Sequence, residues 1–356
     1  MNKLNKTYEP FLFLYITNQC QLNCKHCYMG KRLQNGQVMS IRYIRKILKF
    51  MRVLYGHYRV YLLGGEPTLH PELDRVLKIC KEEKYLVVLT SNGLISQNTW
   101  DKILPRYIDS LSFSLDGASR ESHEFLRGED TFQPLIENIQ EACKRKFKTR
   151  LICTITKKNV KEVPRIIKLA SDLQVGLLSF HYFTPTGRGS HYSTLQLSNK
   201  EWLKFVRDLK DCVSKIQIND RLKIYYPPAF VSKKELPLIE MAGYKGCPAR
   251  NLERLAIFPN GKCYICSAFL DQNVSFGQIN NRGFSINKTD SNELNIINRM
   301  SLKCGKCSHA YICNGGCAAY NYFGYGVSTN KCGGELIPIC PLWTTSVNDK
   351  TQAVLR

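Results

Sequence analysis

Along the first two-thirds of the chain, short apolar runs trade places with stretches of helical spacing. The runs at 11–17 (FLFLYIT), 58–63, 85–90, 108–115, 149–156 and 176–182 read as strands. Between them, apolar residues recur with a helical period near 40–54, 71–83, 97–104, 131–146 and 161–174. Ser40 is placed to cap the first helix, His70-Pro71 reads as a start with proline at the first helical position, and Pro164 must sit in the first turn of the last helix. Such βα units build a parallel sheet, and six alternations predict a (β/α) barrel, complete or partial. In that architecture the chemistry sits where strands end and loops begin.

A further helix is predicted over 198–216, starting at Ser198, followed by a short strand near 221–226 and the break Tyr226-Pro227-Pro228. After about residue 235 long periodic helices disappear, and glycine, asparagine and cysteine dominate. The division expected is residues 1–235 as the barrel and 236–356 as a smaller unit too poor in apolar periodicity to fold without a metal staple.

The chain has 356 residues, enough to bury a full core, and 16 cysteines. No N-terminal run is long enough for a membrane span or an export signal, so the expectation is a cytoplasmic protein with reduced thiols. Reduced cysteines in close groups point to metal or catalysis. Cys80, Cys143, Cys153 and Cys212 are scattered and read as small buried apolar residues. The other cysteines form a triplet near the start and a group of nine from Cys247 to Cys340.

The triplet is Cys20-Gln-Leu-Asn-Cys24-Lys-His26-Cys27-Tyr28, just after the first predicted strand. Three thiolates at this spacing can hold three corners of a cubane and leave one iron open. The competing reading is zinc, whose structural sites close with four ligands; His26 is the nearest fourth donor. Four further segments fall at predicted strand ends: Gly64-Gly65-Glu66-Pro67, Ser91-Asn92-Gly93, Ser114-Leu-Asp116-Gly117 and Thr154 with Asn159. Each alone is a weak signal, and Asn92-Gly93 is a common turn pair. Their order and placement together carry the weight.

CxxxCxxC after a first strand, with His26 at the aromatic position, resembles the radical S-adenosylmethionine enzymes, and the strand count agrees with that family's partial (β/α)6 barrel. The resemblance implies a [4Fe-4S] cluster on Cys20, Cys24 and Cys27. The open iron of that cluster chelates S-adenosylmethionine and, when reduced, cleaves it to a 5′-deoxyadenosyl radical. It implies cofactor contacts from His26, Tyr28, Gly64, Gly65, Glu66, Pro67, Ser91, Asn92, Ser114, Asp116, Thr154 and Asn159, and a carboxylate partner in Arg127, a role suited to the guanidinium fork. The two glycines are expected to let backbone approach the ligand. Pro185-Thr-Gly187-Arg188 follows the sixth strand in the same pattern.

The later cysteines resemble the SPASM extension, which holds two auxiliary [4Fe-4S] clusters, three clusters in all. That likeness would place Cys247, Cys266 and Cys317, with Cys263 as an extra, on one cluster. Cys304, Cys307 and Cys313 would hold the other, with Cys340 preferred to Cys332 as the last ligand. CxxC pairs are shared with zinc ribbons. The resemblance implies oxidative modification of a ribosomally made precursor peptide, by a carbon–carbon (cyclophane) or thioether crosslink. The alternatives are a sulfatase-activating or small-molecule radical dehydrogenase, and, behind those, an iron–sulfur sensor or nucleic-acid-binding regulator. An electron donor such as flavodoxin or ferredoxin is implied. With its first cysteine at position 20, the sequence leaves no room ahead of the barrel for a leader-binding domain, so a separate leader-binding protein or the enzyme body is expected to recognise a leader.

The formal charge of +22 sits mostly in residues 1–235, with 39 Lys and Arg against 22 Asp and Glu. A basic body suits an acidic partner. No helix-turn-helix or aromatic RNA-binding motif is present, so neither nucleic acid nor a membrane is expected as partner. No general acid or base is assigned; His181, Tyr182 and Tyr61 lie on or beside barrel strands and are read first as packing or hydrogen-bonded structure.

Overall fold

The computed structural model describes residues 10–55, 59–226, 230–241, 246–270, 274–280, 282–288, 292–301, 307–323, 336–339 and 345–346. Strands β1 (Phe11–Thr17), β2 (Arg59–Gly64), β3 (Leu86–Ser91), β4 (Ser110–Ser114), β5 (Thr149–Ile155) and β6 (Leu177–Tyr182) lie side by side in chain order, all parallel. Helices α1 (Ile41–Tyr55), α2 (Leu73–Glu82), α3 (Gln97–Trp100), α4 (Arg120–Arg127), α5 (Phe132–Lys144) and α6 (Val163–Asp172) fall between them. The six expected strands are therefore present, displaced by two residues at most.

Two helix starts show how local chemistry sets the boundaries. Ser40 does cap α1, its Oγ accepting from the Tyr43 amide at 3.3 Å. Pro71 instead lies in a turn before α2, where the Glu72 amide donates to His70 Nδ1 at 3.1 Å and His70 Nε2 pairs with the Met39 carbonyl at 2.9 Å. The expected helix over 97–104 stops at Trp100, and Pro105–Tyr107 forms a separate tight turn with proline at its first position. Helix α4 was not legible: its eight residues, RESHEFLR, carry too few apolar side chains to show a period.

Helix α7 (Asn199–Lys215) opens with a capping box between Ser198 and Glu201. Strand β7 (Lys223–Tyr226) is a seventh parallel strand of the same sheet, paired with β6. Beyond it come β8 (Phe230–Ser232), α8 (Leu236–Met241), β9 (Arg254–Ile257), β10 (Lys262–Tyr264), β11 (Gly277–Asn280) and β12 (Gly283–Ile286). Then follow α9 (Glu293–Ser301), α10 (Ala310–Cys313), α11 (Ala318–Phe323), β13 (Leu336–Pro338) and β14 (Thr345–Ser346).

Strand β9 pairs in parallel with β1, on the edge opposite β2, and β10 to β12 continue the sheet as antiparallel strands. The cysteine-rich unit was expected to lack a core of its own, and it is anchored by sharing one. Cys247, Cys263, Cys266, Cys317 and Phe269 belong to the same apolar cluster as the barrel strands and their helices. Among the described residues no helix is long and apolar enough to cross a membrane.

Candidate functional site

The loop after β1 carries Cys20, Cys24 and Cys27, each half-buried. Burial, with Glu66 and the other two thiols, pushes the Cys20 thiol up to about 12 against the Leu22 amide at 3.5 Å. Burial likewise raises Cys24, with Arg127 acting the other way. Thiols crowded like this disfavour one another's ionisation, and a cationic iron centre reverses that penalty. The donor set thus fits a cluster. Among the described residues no three Cys, His, Asp or Glu side chains converge on a single-ion site; a cubane gives each thiolate its own iron and does not need that convergence.

Neighbouring strand ends grip this loop by its backbone. The Gly65 amide donates to the Thr17 carbonyl at 2.9 Å, and the Glu66 amide to Gln19 at 2.7 Å. A Cβ at Gly64 would lie 2.3 Å from the Thr17 carbonyl oxygen, and one at Gly65 would lie 2.3 Å from the Gln19 oxygen and 2.7 Å from Cys20 Cβ. The absence of a Cβ at both positions lets the cysteine loop itself pack directly against the end of β2. After β6, Arg188 donates from its amide to the Cys27 carbonyl at 2.9 Å and from Nη1 to Cys24 at 3.3 Å. Gly187 (φ 59°) brings that segment against the Tyr28 carbonyl. The Lys25 amide donates to Leu126 at 2.8 Å.

Glu66 is 1% exposed and its oxygens are occupied. Oε1 accepts from the Thr68 amide and hydroxyl at 3.1 and 2.7 Å, and Oε2 from the Asn92 amide at 2.7 Å. It braces the ends of β2 and β3, and burial raises its carboxyl despite those donors. Pro67 opens the short turn that Glu66 caps. Ser91 Oγ accepts from the Gly93 amide at 3.0 Å. Asn92 Nδ2 reaches Gln21 Oε1 at 3.3 Å and points at Cys20 Sγ at 3.9 Å. Tyr28 meets Tyr15 hydroxyl to hydroxyl at 3.1 Å.

The second centre of organisation is Asp116, fully buried just past β4 and half-buried Ser114. Its Oδ2 receives Arg127 Nε at 2.6 Å and faces His26 Nε2 at 3.1 Å; its Oδ1 accepts from the Thr154 amide at 2.7 Å. Burial alone would raise this carboxyl, but Arg127, and then His26, hold it well below the usual carboxylate range. Asn159 Nδ2 donates to the carbonyls of Asp116 and Thr154 at 2.8 and 2.9 Å, while its Oδ1 accepts from the Thr156 amide. His123 Nδ1 accepts from the Asp116 amide at 3.2 Å. Two side-chain nitrogens of this cluster, His26 Nδ1 and His123 Nε2, are buried without a partner among the described residues. Among the described residues the Arg127 side chain donates from Nε alone, to Asp116.

One carboxylate therefore ties the cysteine loop, α4 and β5 together at the same end of the sheet, and the radical SAM superfamily profile matches residues 14–170, the span of these strands. That span of the chain is a radical SAM domain. By sequence the chain is 25% identical over 342 residues to an Fe-coproporphyrin III synthase of Methanosarcina barkeri, covering 88% of this chain and 84% of that one. By fold it resembles anSMEcpe, solved with bound AdoMet and the Kp18Cys peptide (TM-score 0.63, 20% identity, 93% of both chains). It also resembles Streptococcus suis SuiB bound to its precursor peptide SuiA (TM-score 0.62, 20% identity). That match covers 75% of this chain and spans 61% of SuiB's length.

Outside the radical SAM core, the C-terminal region continues the likeness to anSMEcpe, and part of the second cysteine group converges. Cys247 and Cys266 are buried and within electrostatic reach of each other. Burial, with Cys307 adding to it, raises the Cys313 thiol. Cys317 is buried, its amide donating to the Pro338 carbonyl at 2.7 Å. Cys263 is buried, its Sγ on the Gly261 carbonyl at 3.4 Å and its thiol bearing on Tyr43 of α1. Cys304, Cys332 and Cys340 lie outside the described residues. Sequence reasoning missed two charged residues beside this group. Glu293 is fully buried and takes the amides of Ile265 and Cys266, each at 2.7 Å, while buried Arg254 donates from Nε to the Ile265 carbonyl at 2.9 Å. Nothing in the sequence separates Glu293 from an ordinary acidic residue in a helix first turn.

Proposed function

We propose that this enzyme oxidatively modifies a ribosomally made precursor peptide, forming a carbon–carbon or thioether crosslink. The observation that carries the reading is the pairing of a cysteine-loop site, organised by Asp116, with a second cysteine group joined to it through adjacent strands β1 and β9. When bound, the [4Fe-4S] cluster and S-adenosylmethionine supply a 5′-deoxyadenosyl radical that removes a hydrogen atom from substrate. The chain's own residues hold the site for them: Cys20, Cys24 and Cys27 as cluster ligands, Arg127 facing the methionine carboxylate, and the strand-end segments shaping the pocket. Auxiliary clusters on the later cysteines would accept the second electron of a net oxidation. The likeness in fold to SuiB and anSMEcpe, each solved with a peptide, favours a peptide substrate.

A second reading, oxidation of a small molecule, is favoured by the match to an Fe-coproporphyrin III synthase over most of both chains. The test is anaerobic incubation of reduced protein with S-adenosylmethionine, followed by mass spectrometry of a candidate precursor peptide. The expected result is 5′-deoxyadenosine, absent in Cys24→Ser, and a loss of two mass units per crosslink. 5′-Deoxyadenosine without any peptide change, together with turnover of a small molecule, moves the assignment to the second reading.

A further inference from the structure

The interior wall of the barrel holds a cation that the cofactor-binding groups leave unused. Along β5 the side chains alternate: Thr149, Leu151, Cys153 and Ile155 are buried, while Arg150, Ile152 and Thr154 are half-buried on the inner face. Strand register puts Ser112 of β4 and Leu177 of β6 beside Arg150, and His181 of β6 beside Thr154 at the cofactor end. The side chains of Arg150 and His181 make no hydrogen bond or ion pair among the described residues. Burial first, then the Arg150 charge, lowers the His181 imidazole to about 4, so the Arg150 guanidinium lies within electrostatic reach of His181. Asp116, the carboxylate that bears on His181, is already engaged by Arg127, His26 and the Thr154 amide.

Across the sheet, the inner faces of β1 and β2 carry Phe11, Phe13 and Tyr61, three rings packed with centroids 5.1 to 5.6 Å apart. A half-buried guanidinium without a counter-ion is costly, and a planar anion relieves that cost through two parallel hydrogen bonds. We propose that Arg150 anchors a carboxylate of the substrate inside the barrel, with the Phe11–Phe13–Tyr61 wall receiving the apolar or aromatic body next to it. This deepens the proposed function, because it rests on the barrel interior being the substrate site. The carboxylate belongs either to an acidic side chain of a peptide or to a small molecule.

Calorimetry on the anaerobically purified, cluster-bearing protein with S-adenosylmethionine present tests the anchor. Two matched pairs serve as probes: 3-phenylpropionate against 3-phenylpropionamide, and N-acetyl-Phe-Glu-amide against N-acetyl-Phe-Gln-amide. At least one acid is expected to bind about ten-fold or more tightly than its neutral partner. Arg150→Gln should abolish the preference, and Arg150→Lys should keep part of it. A preference in the peptide pair identifies a side-chain carboxylate, and one confined to the phenylpropionate pair identifies a small acid. Equal binding within both pairs, no measurable binding of either acid, or a preference that survives in Arg150→Gln overturns the proposal. S-adenosylmethionine binding and cleavage are read in the same preparations. Their failure removes the functional reading itself, whereas intact cleavage without acid preference removes only the anchor.

Discussion

Replacing Asp116 by asparagine tests the organisation of the site with little change in shape. The carboxylate is fully buried and receives three donors: Arg127 Nε at 2.6 Å, His26 Nε2 at 3.1 Å and the Thr154 amide at 2.7 Å. Asparagine keeps one acceptor oxygen and turns an amide group towards the remaining donors, leaving the buried guanidinium without its counter-charge. Breaking a buried pair from one side costs about 3–5 kcal/mol. Urea unfolding of the anaerobic protein, followed by the fluorescence of buried Trp100 and Trp202, should show a loss of that size. Arg127→Met alone should also destabilise, by stranding the carboxylate. The double variant should lose less than the two single losses added, because it leaves no orphaned charge. A loss under about 1 kcal/mol for Asp116→Asn, or strict additivity, refutes the view that this carboxylate balances Arg127.

Gly65→Ala should displace the cysteine loop, since its new Cβ would stand 2.3 Å from a backbone oxygen that cannot swing aside; a loss of about 1–3 kcal/mol is expected. Iron and sulfide analysis should show a depleted first site, while Gly176→Ala, whose Cβ would meet nothing closer than 3.6 Å, should retain iron. His123 is fully buried, and burial, followed by Arg127, lowers its imidazole to about 3. Its contribution to stability is therefore complete above the unfolded value near 6.5 and is lost progressively as pH falls towards 3. Between pH 7 and pH 5 the native protein should lose about 2 kcal/mol more than His123→Gln, as measured by urea unfolding.

The barrel was legible because its strands are continuous apolar runs of the right length, each closed by a polar segment. FLFLYIT is β1 to the residue. The cysteine loop was legible for a different reason: its spacing is chemistry written in consecutive residues. Pairings across long stretches of sequence left no such mark. The parallel docking of β9 on β1, the Asp116–His26 contact and the Glu293 carboxylate on the Cys266 amide each join residues dozens to hundreds of positions apart. Local period says nothing about them. The two glycines at the end of the second strand were legible as a motif, but the packing of the cysteine loop within 3 Å of a Cβ there is something only the fold reveals. Arg150 passed unnoticed because one basic residue in a strand reads as an edge or surface charge until its neighbours' direction is known.

Strand β9 gives the molecule a dependence that a two-part description hides. With Arg254 to Ile257 hydrogen-bonded along Phe11 to Leu14, the strand that launches the cysteine loop is an interior member of the sheet, flanked on both sides. Severing the chain ahead of Arg254 would turn it into a bare margin of apolar, β-branched and aromatic residues, the sort of ribbon that recruits foreign strands and precipitates. Transplanting either half into another enzyme would therefore have to carry this seam along, because the first metal-binding loop takes its rigidity from a neighbour that the chain supplies some 240 residues later.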